Sequence, residues 1–302
     1  MKFDPAQWTY GVEHEWGDVR VGDKLPEGTT WNHNDNTVVN SNGIANDPMG
    51  KIYPFGGEIN TKPTNTPQGQ VDILNEMLAT LDPKPAVNYR SNLHVHVRVP
   101  GLKDDLESLK QLLGYIHKWM PTLYPKIDPI PYPTTEDYPT KESFDGAMKR
   151  YKRRKRSHQY MYPANAFKRM MAATTPQEFY LGETVIGSNG KPAFAIATRA
   201  GINLRQIFEE TNTIEFRHFT GSLEPHKLLD SIEWCRDFLN LALNSPEVSP
   251  LTLLENRKYD FQPFHKYDYA MEKMYERTNF AHNTRAQVAV EIAKLREEGY
   301  IQ

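Results

Sequence analysis

Four short segments place ionisable side chains in a strand-like context. They are GVEHEW (11–16), GGEIN (56–60), LHVHVRV (93–99) and TIEFRHF (213–219). In three of them ionisable residues stand two apart, and GGEIN carries Glu58 alone. A β-strand sends alternate side chains to opposite faces, so the charged residues of each segment share one face. We therefore expect a sheet with one apolar face and one charged face, the latter forming a polar, metal-holding active site. This pattern is typical of an enzyme.

The carboxylates of the charged face are candidate metal ligands. Glu13 and Glu15 share a strand face with their Cβ atoms about 6.5–7 Å apart, so they repel unless a cation lies between them. Oxygen ligands of this kind favour Mg²⁺ or Mn²⁺. Glu58 follows Gly56-Gly57 and can add a third carboxylate. The alternative is a solvated strand face that happens to carry acids.

Histidines and arginines line two of these segments. His94 and His96 point to one face and are candidate metal ligands, with zinc as one choice. Arg98 on the same face indicates an anionic ligand nearby. Glu215 and Arg217 also share a face, where an exposed salt bridge would contribute little energy. Arginine is otherwise well suited to bind a carboxylate or phosphate through two hydrogen bonds.

The basic run KRYKRRKR (149–156) allows three interpretations. It can be a solvated helix face, a contact for nucleic acid or polyphosphate, or a set of charges that completes a nucleotide site. Arg199 and Arg205 are further candidates to bind phosphate. The sequence has no Walker-type loop, no glycine-rich dinucleotide motif and no GxSxG motif, so dispersed side chains must bind any phosphate.

Composition limits the compartment and the partners. The 302 residues carry a net charge of −2, which implies no general attraction to polyanions. No apolar run reaches the roughly 18–20 residues of a membrane span, and the N-terminus lacks the apolar region of a signal peptide. Cys235 is the single cysteine, so no intrachain disulfide can form. We expect a cytoplasmic protein.

The order of strand and helix patterns favours one domain over 1–302 with an α+β fold. Strands and helices do not alternate as in a doubly wound parallel sheet, so a curved, largely antiparallel sheet backed by helices is expected. A proline-rich loop at 121–140 and a basic helix at 141–157 form an insertion. Asn189-Gly190 predicts a hairpin. C-terminal helices at about 264–298 are expected to pack outside the sheet.

These segments resemble those of the amidoligase family, relatives of glutamine synthetase and glutamate–cysteine ligase. The resemblance runs through GVEHEW, GGEI, LHVHV, the NL of RAGINL and TIEFRHFTGSLEPHKLLDSIEWC. It covers about a third of the chain in patches, in the family's order. Asn92-Leu93 stands where a glycine often precedes the histidine pair. The resemblance implies the glutamine-synthetase-like catalytic domain.

The resemblance also implies a reaction and its residues. ATP would phosphorylate a substrate carboxylate, and an amine substrate would then displace the phosphate to form an amide. Glu13 and Arg217 would act in catalysis with His94 and His96, whose roles stay open among metal binding, phosphate binding and proton transfer. Mg²⁺ or Mn²⁺ would be held by Glu13, Glu15, Glu58, His94 and Glu215. The ATP-binding candidates are Arg199, Arg205, Arg98 and Lys62.

Three other functions fit the same residues. A related sheet supports phosphotransfer to a guanidino or other small acceptor. A metallohydrolase would use His94, His96 and a carboxylate. A nucleic-acid-binding accessory protein would work through 149–156. A hybrid is an amidoligase acting on modified nucleic acid, since relatives are associated with peptide tagging, cell-wall peptides and phage-type base modification.

Overall fold

A computed structural model gives the architecture of most of the chain. It describes residues 2–17, 19, 24–32, 56–82, 84–87, 91–158, 161–183, 185–186, 192–193, 200–265, 290, 293 and 297.

Within these residues, six strands form one antiparallel sheet in the order β2-β3-β1-β4-β8-β7. Its strands are β1 (Thr9–Gly17), β2 (Thr29–Asn32), β3 (Gly56–Thr61), β4 (Asn92–Arg98), β7 (Ile202–Asn203) and β8 (Ile214–Thr220). The sheet is open, because β2 and β7 stand at opposite edges of this order. The expectation of an α+β fold with an antiparallel sheet is confirmed.

The apolar face of the sheet packs against helices. The seven α-helices in the described residues are α1 (Pro67–Thr80), α2 (Leu106–Ile127), α3 (Lys141–His158), α4 (Ala164–Ala172), α5 (Pro176–Gly182), α6 (Pro225–Asn244) and α7 (Leu251–Asn256). Helix α6 contacts β4 and packs against α1 and α2, and α1 contacts β1. Val12, Val95 and Phe216 are buried on this side with Trp234 of α6. Burial of this apolar face leaves the charged face for the site.

Two helices begin with a proline in their first turn, a residue typical of a helix start. Thr66 caps α1, since its hydroxyl accepts a hydrogen bond from the backbone N–H of Gly69, and Pro67 occupies the first turn. Pro225 likewise opens α6. Ser222 does not cap that helix, because its hydroxyl accepts the backbone N–H of Glu224, the residue before the first turn.

The proline-rich loop was expected from residue 121, and this boundary is wrong. Helix α2 continues to Ile127 with Pro121 and Pro125 inside it. An interior proline removes one helical hydrogen bond and costs about 3 kcal/mol. Both prolines are exposed, whereas Leu123 and Tyr124 are buried. Burying such large side chains contributes about 1.5–3 kcal/mol each, which offsets that cost. The irregular segment is therefore 128–140.

Other predicted elements fall partly outside the described residues. Strand β5 (Val185–Ile186) pairs antiparallel with β6 (Pro192–Ala193), as a hairpin requires, while Asn189-Gly190 itself lies outside. The predicted C-terminal helices also lie almost entirely outside. Helix α3 matches the prediction of a helix at 141–157. Cys235 is a buried free thiol, as expected for a packed core residue.

None of the helices in the described part of the chain has both the length and the apolar character needed to cross a membrane.

His218 is a buried histidine on β8, with Trp234 and Tyr124 edge-on to its ring. Its Nδ1 lies 3.3 Å from the Gly201 carbonyl oxygen, and its Nε2 has no hydrogen-bond partner among the described residues. Burial therefore lowers the pKa of His218 to about 3. The ring is neutral in the folded protein at pH values where the unfolded chain is protonated.

This histidine makes the fold acid-sensitive. The unfolded ring takes up a proton below about pH 6.5 and the folded ring only near pH 3. Its contribution to stability is therefore complete above 6.5 and falls by about 1.4 kcal/mol per pH unit below that. We expect His218→Met to reduce the slope of unfolding free energy against pH by this amount between pH 6.5 and 4, measured by urea denaturation. An unchanged slope in His218→Met would contradict the conclusion that His218 is neutral in the folded protein over this pH range.

Candidate functional site

The strand register brings the charged segments together on one face of the sheet. Strand β1 runs between β3 and β4, and β8 lies beyond β4. Directly opposite pairs are Glu13 with His94, Glu15 with Glu58, and His96 with Glu215. Side chains opposite one another in neighbouring strands lie about 4.5–5.5 Å apart at Cβ. Residues separated by up to 202 positions thus form one cluster, as the sequence predicts.

Glu13 is the centre of the cluster because it contacts both histidines. Its Oε2 lies 2.7 Å from Nδ1 of His94, and its Oε1 lies 3.0 Å from Nε2 of His96. The other ring nitrogen of His96 lies 2.9 Å from the hydroxyl of Thr213. Both histidines are buried, whereas 23% of the Glu13 side chain is exposed. The carboxylate therefore joins the buried histidines to the open side of the site.

Mutual attraction sets the protonation of these three groups. Burial alone would raise the pKa of Glu13, but the charge of His96 and the hydrogen bond from His94 hold it well below its usual range. Burial and the Arg217 charge disfavour the charged form of His94, yet the hydrogen bond and charge of Glu13 raise its pKa. The pKa of His96 is raised against burial mainly by the Glu13 charge.

Each of the three buried carboxylates of this cluster receives a hydrogen bond from an asparagine. Asn32 Nδ2 donates to Glu58 at 2.6 Å, and Asn203 Nδ2 donates to Glu215 at 2.8 Å. Asn92 Nδ2 donates to Oε2 of Glu15. A buried carboxylate needs such donors, since an unbonded charge in the interior is costly. The asparagines fix the carboxylates without adding a positive charge that would compete with a cation.

None of the three asparagines was predicted from the sequence as a site residue. Asn32 and Asn203 lie opposite Glu58 and Glu215 in the strand register, and Asn92 lies opposite Thr220 on β8. Asn203 belongs to the NL segment of the family resemblance, which is the one signal the sequence offered. The pairing of strands far apart in the chain was needed to identify the others.

Glu15 and Glu58 are two carboxylates of like charge on neighbouring interior strands of the sheet. They lie directly opposite one another on β1 and β3, and both are buried. Like charges in this position destabilise a sheet. An arrangement that brings buried carboxylates together favours a cation, which would relieve their repulsion.

Arg217 lies beside Glu215, as the sequence predicts. Its Nη1 donates to Oε1 of Glu215, and that oxygen also lies 3.7 Å from Nδ1 of His94. Burial would lower the pKa of Arg217, but the charges of Glu215 and Glu13 raise it. The guanidinium side chain is 29% exposed. Its remaining N–H groups can therefore bind an anion at the surface of the cluster.

Among the residues that the structure describes, two groups of side chains have the geometry of a metal site. Glu13, Glu58 and His94 place one ligand atom each within 4.8 Å of one another, and Glu13, His96 and Glu215 do the same. In addition, Nε2 of His96 is buried without a hydrogen bond despite its closeness to Glu13. A buried polar atom without a hydrogen-bond partner is expected of a metal ligand when the metal is not bound. The mixed oxygen and nitrogen donors fit a divalent cation, and Glu13 would serve both positions.

Of the four predicted ATP-binding residues, three lie in the part of the chain that the structure describes and one lies outside it. Arg98 is exposed at the end of β4, on the face of His94 and His96. Lys62 is exposed directly after β3. Arg205 forms an ion pair with Glu209 at 2.9 Å, and its backbone N–H donates to Oδ1 of Asn203. Arg199 lies outside the described residues.

The basic run in α3 is not uniformly solvated. Lys152 and Lys155 are exposed, whereas Arg150 and Arg154 are buried. The interpretation of the whole run as a solvated helix face is therefore wrong. These two arginines are four residues apart and so lie on the same face of the helix, which faces the protein. The spacing of apolar residues in the sequence does not reveal this buried face of α3, because arginines occupy part of it.

Comparison with known proteins gives one match. A family model described as "Putative amidoligase enzyme" matches residues 33–239, about two thirds of the chain. The matched region includes Glu58, both histidines, Glu215 and Arg217, whereas β1 with Glu13 and Glu15 precedes it. No curated protein and no solved structure matches the chain.

The contacts of Glu13 lead to a prediction for the two histidines. Glu13→Gln keeps the size of the side chain but removes its charge. We expect the pKa values of His94 and His96 to fall, because burial and Arg217 then act with less opposition. The measurement is an NMR titration of the histidine rings in the cation-free protein. Glu107→Gln, at an exposed position on α2, is the matched control. Unchanged ring pKa values in Glu13→Gln would contradict this description.

Proposed function

Because the chain belongs to the amidoligase family, we propose that it is an ATP-dependent ligase that joins a carboxylate to an amine. The reaction proceeds through an acyl phosphate. The observation that carries this proposal is the cluster of buried carboxylates and histidines centred on Glu13, with Arg217 at its surface. We further propose that the antiparallel sheet with its helices is the catalytic domain of glutamine-synthetase-like enzymes.

The proposed chemistry has two steps. An oxygen of the substrate carboxylate attacks the γ-phosphorus of ATP, and the bond from that phosphorus to the oxygen of ADP breaks. The amine nitrogen then attacks the acyl carbon, the bond from that carbon to the phosphate oxygen breaks, and the amine loses a proton. The products are an amide, ADP and phosphate. Catalysis of phosphoryl transfer depends mainly on position and charge.

The cluster has the ligands for the divalent cations that this chemistry uses. Mg²⁺ or Mn²⁺ would neutralise the negative charge that develops on the phosphates. The residues that would hold these cations are Glu13, Glu58, His94 and Glu215, with His96 beside Glu13 and Glu215. Glu15 lies directly opposite Glu58 in the strand register and would add a further carboxylate. The mixed set of carboxylates and imidazoles suits Mn²⁺ as well as Mg²⁺.

The remaining residues bind and orient the substrates. Arg217 can use its exposed N–H groups for the γ-phosphate or the substrate carboxylate. Arg98 and Lys62, with Arg199 and Arg205, are the proposed contacts for ATP. A neutral His94 or His96 can accept the proton of the amine, since each ring lies against Glu13, whose charge favours the protonated ring.

The proposed substrates are a peptide or a modified nucleotide. A nucleic acid would contact the exposed lysines of the basic run, Lys152 and Lys155. The use of ATP and the single reduced cysteine fit a cytoplasmic reaction.

The activity can be tested with Mg²⁺-ATP and pooled carboxylates and amines, with and without DNA. We expect ADP and phosphate together with a product whose mass is the sum of both substrates less one water. Glu13→Gln should reduce turnover about 100-fold or more, because stabilisation by a metal is worth several kcal/mol. Phosphate release and mass spectrometry are followed together, with Glu107→Gln as the control.

Each alternative outcome identifies a different function. AMP and pyrophosphate would contradict the acyl phosphate, and a stable phosphorylated acceptor would indicate a phosphotransferase instead. Turnover without ATP that stops on chelation would indicate a metallohydrolase. ATP turnover that survives Glu13→Gln would contradict the metal assignment.

The cation site predicts a pH-dependent stabilisation. Mn²⁺ that binds only the folded state should raise its stability by about 2.7 kcal/mol at 100 times the dissociation constant. The raised pKa values of His94 and His96 mean that protons compete with the metal. We therefore expect the increase in Tm on addition of Mn²⁺ to chelator-treated protein to be larger at pH 8 than at pH 6. An equal or reversed increase would exclude the histidines as ligands.

A further inference from the structure

Arg154 is a fully buried charge in α3, and its contacts lead back to the site. One guanidinium nitrogen, Nη1, donates to Oδ1 of Asn92 at 2.8 Å. The other, Nη2, donates to the hydroxyl of Thr220 and lies 3.5 Å from Oδ1 of Asp128. Asn92 and Thr220 are opposite one another at the adjoining ends of β4 and β8. Arg154 thus connects α3 to two strands of the sheet.

Asn92 extends this contact to Glu15. Its Oδ1 accepts from Arg154, and its Nδ2 donates to Oε2 of Glu15. An arginine side chain offers only donors, so the oxygen of the asparagine amide must face it and the nitrogen must face the carboxylate. The charge on Arg154 therefore fixes which end of Asn92 points into the site. Rotation of that amide would set its oxygen against the Glu15 carboxylate.

The ion pair of Arg154 with Asp128 is a poor source of stability. Burial raises the pKa of Asp128 and lowers the pKa of Arg154, and in each case it outweighs the attraction of the partner. Replacing a buried ion pair by neutral side chains is often neutral or stabilising. What the pair supplies is a fixed place for the guanidinium at the ends of β4 and β8.

We propose that Arg154 is a positioning residue, which holds Asn92 so that its amide orients Glu15 toward the bound cation. The docking of the basic helix α3 on the sheet is then coupled to the metal site. Removal of a group that orients a metal ligand typically weakens metal affinity about 10- to 100-fold. The metal part of this inference rests on the proposed function, whereas the orientation of Asn92 does not.

The test uses a variant that removes both buried charges. Arg154→Met combined with Asp128→Asn removes both members of the ion pair together, so neither is left as an uncompensated charge and the fold is expected to survive. Arg154→Lys is the second variant. It keeps a charge opposite Asp128 but lacks the planar group that reaches Asn92 and Thr220 together. Lys155→Met is the matched control, because it removes an exposed charge from the adjacent position of the same helix.

Two measurements are made on full-length, folded protein, checked by thermal denaturation. In the first, Mn²⁺ affinity is measured by electron paramagnetic resonance. We expect affinity about tenfold weaker or worse in both test variants and unchanged affinity in Lys155→Met. In the second, the Asn92 side-chain amide is followed by NMR in cation-free, asparagine-labelled protein. We expect hydrogen exchange of this amide to be about tenfold faster or more in both test variants.

The outcomes separate this inference from the proposed function. Wild-type protein that binds no Mn²⁺ would overturn the metal site, and the exchange of the Asn92 amide would then decide the orienting role alone. Wild-type protein that binds Mn²⁺ while both test variants bind equally well would overturn the inference and leave the metal site standing. Unchanged exchange of the Asn92 amide in both variants would overturn it in either case.

Discussion

The contact of one carboxylate with two histidines organises this site. Glu13 lies on a central strand, so β3 and β4 flank it and β8 lies one strand further. Its two oxygens reach His94 and His96. The carboxylate favours the charged form of each histidine, and each histidine favours the charged form of the carboxylate. Buried charges are tolerated only when they are paired or hydrogen-bonded, so the strands that bear them must keep this register. A shift by one residue would turn every one of these side chains into the apolar core.

The same requirement explains the asparagines around the cluster. Carboxylates that are to bind a cation cannot be neutralised permanently by lysine or arginine, yet they cannot remain unbonded when buried. The amides of Asn32, Asn92 and Asn203 meet both conditions. Arg217 pairs with Glu215, and its partly exposed side chain leaves donors for an anionic substrate. The site thus separates groups suited to a cation from a group suited to an anion.

Alternation of charged and apolar residues was sufficient to predict strands β1, β3, β4 and β8 and their charged face, because a side-chain period of two is a local property. Strand β2 was not predicted. The alternation also predicted that Glu13, Glu58 and His94 would meet. The extent of α2 was not predictable from its prolines, since burial of Leu123 and Tyr124 overrides the local penalty. The buried arginines of α3 were equally hidden, because a run of basic residues does not reveal which of them face the protein.

The sequence by itself determined which residue types share a strand face, and a family resemblance indicated the class of reaction. Only the tertiary structure decided which strands are neighbours, and with them the pairing of Glu15 with Glu58 and of His96 with Glu215. It also decided that Arg154 reaches Glu15 through Asn92. The physical reason is that alternation along a strand is set by the local backbone, whereas register and helix docking depend on contacts between residues far apart in the chain.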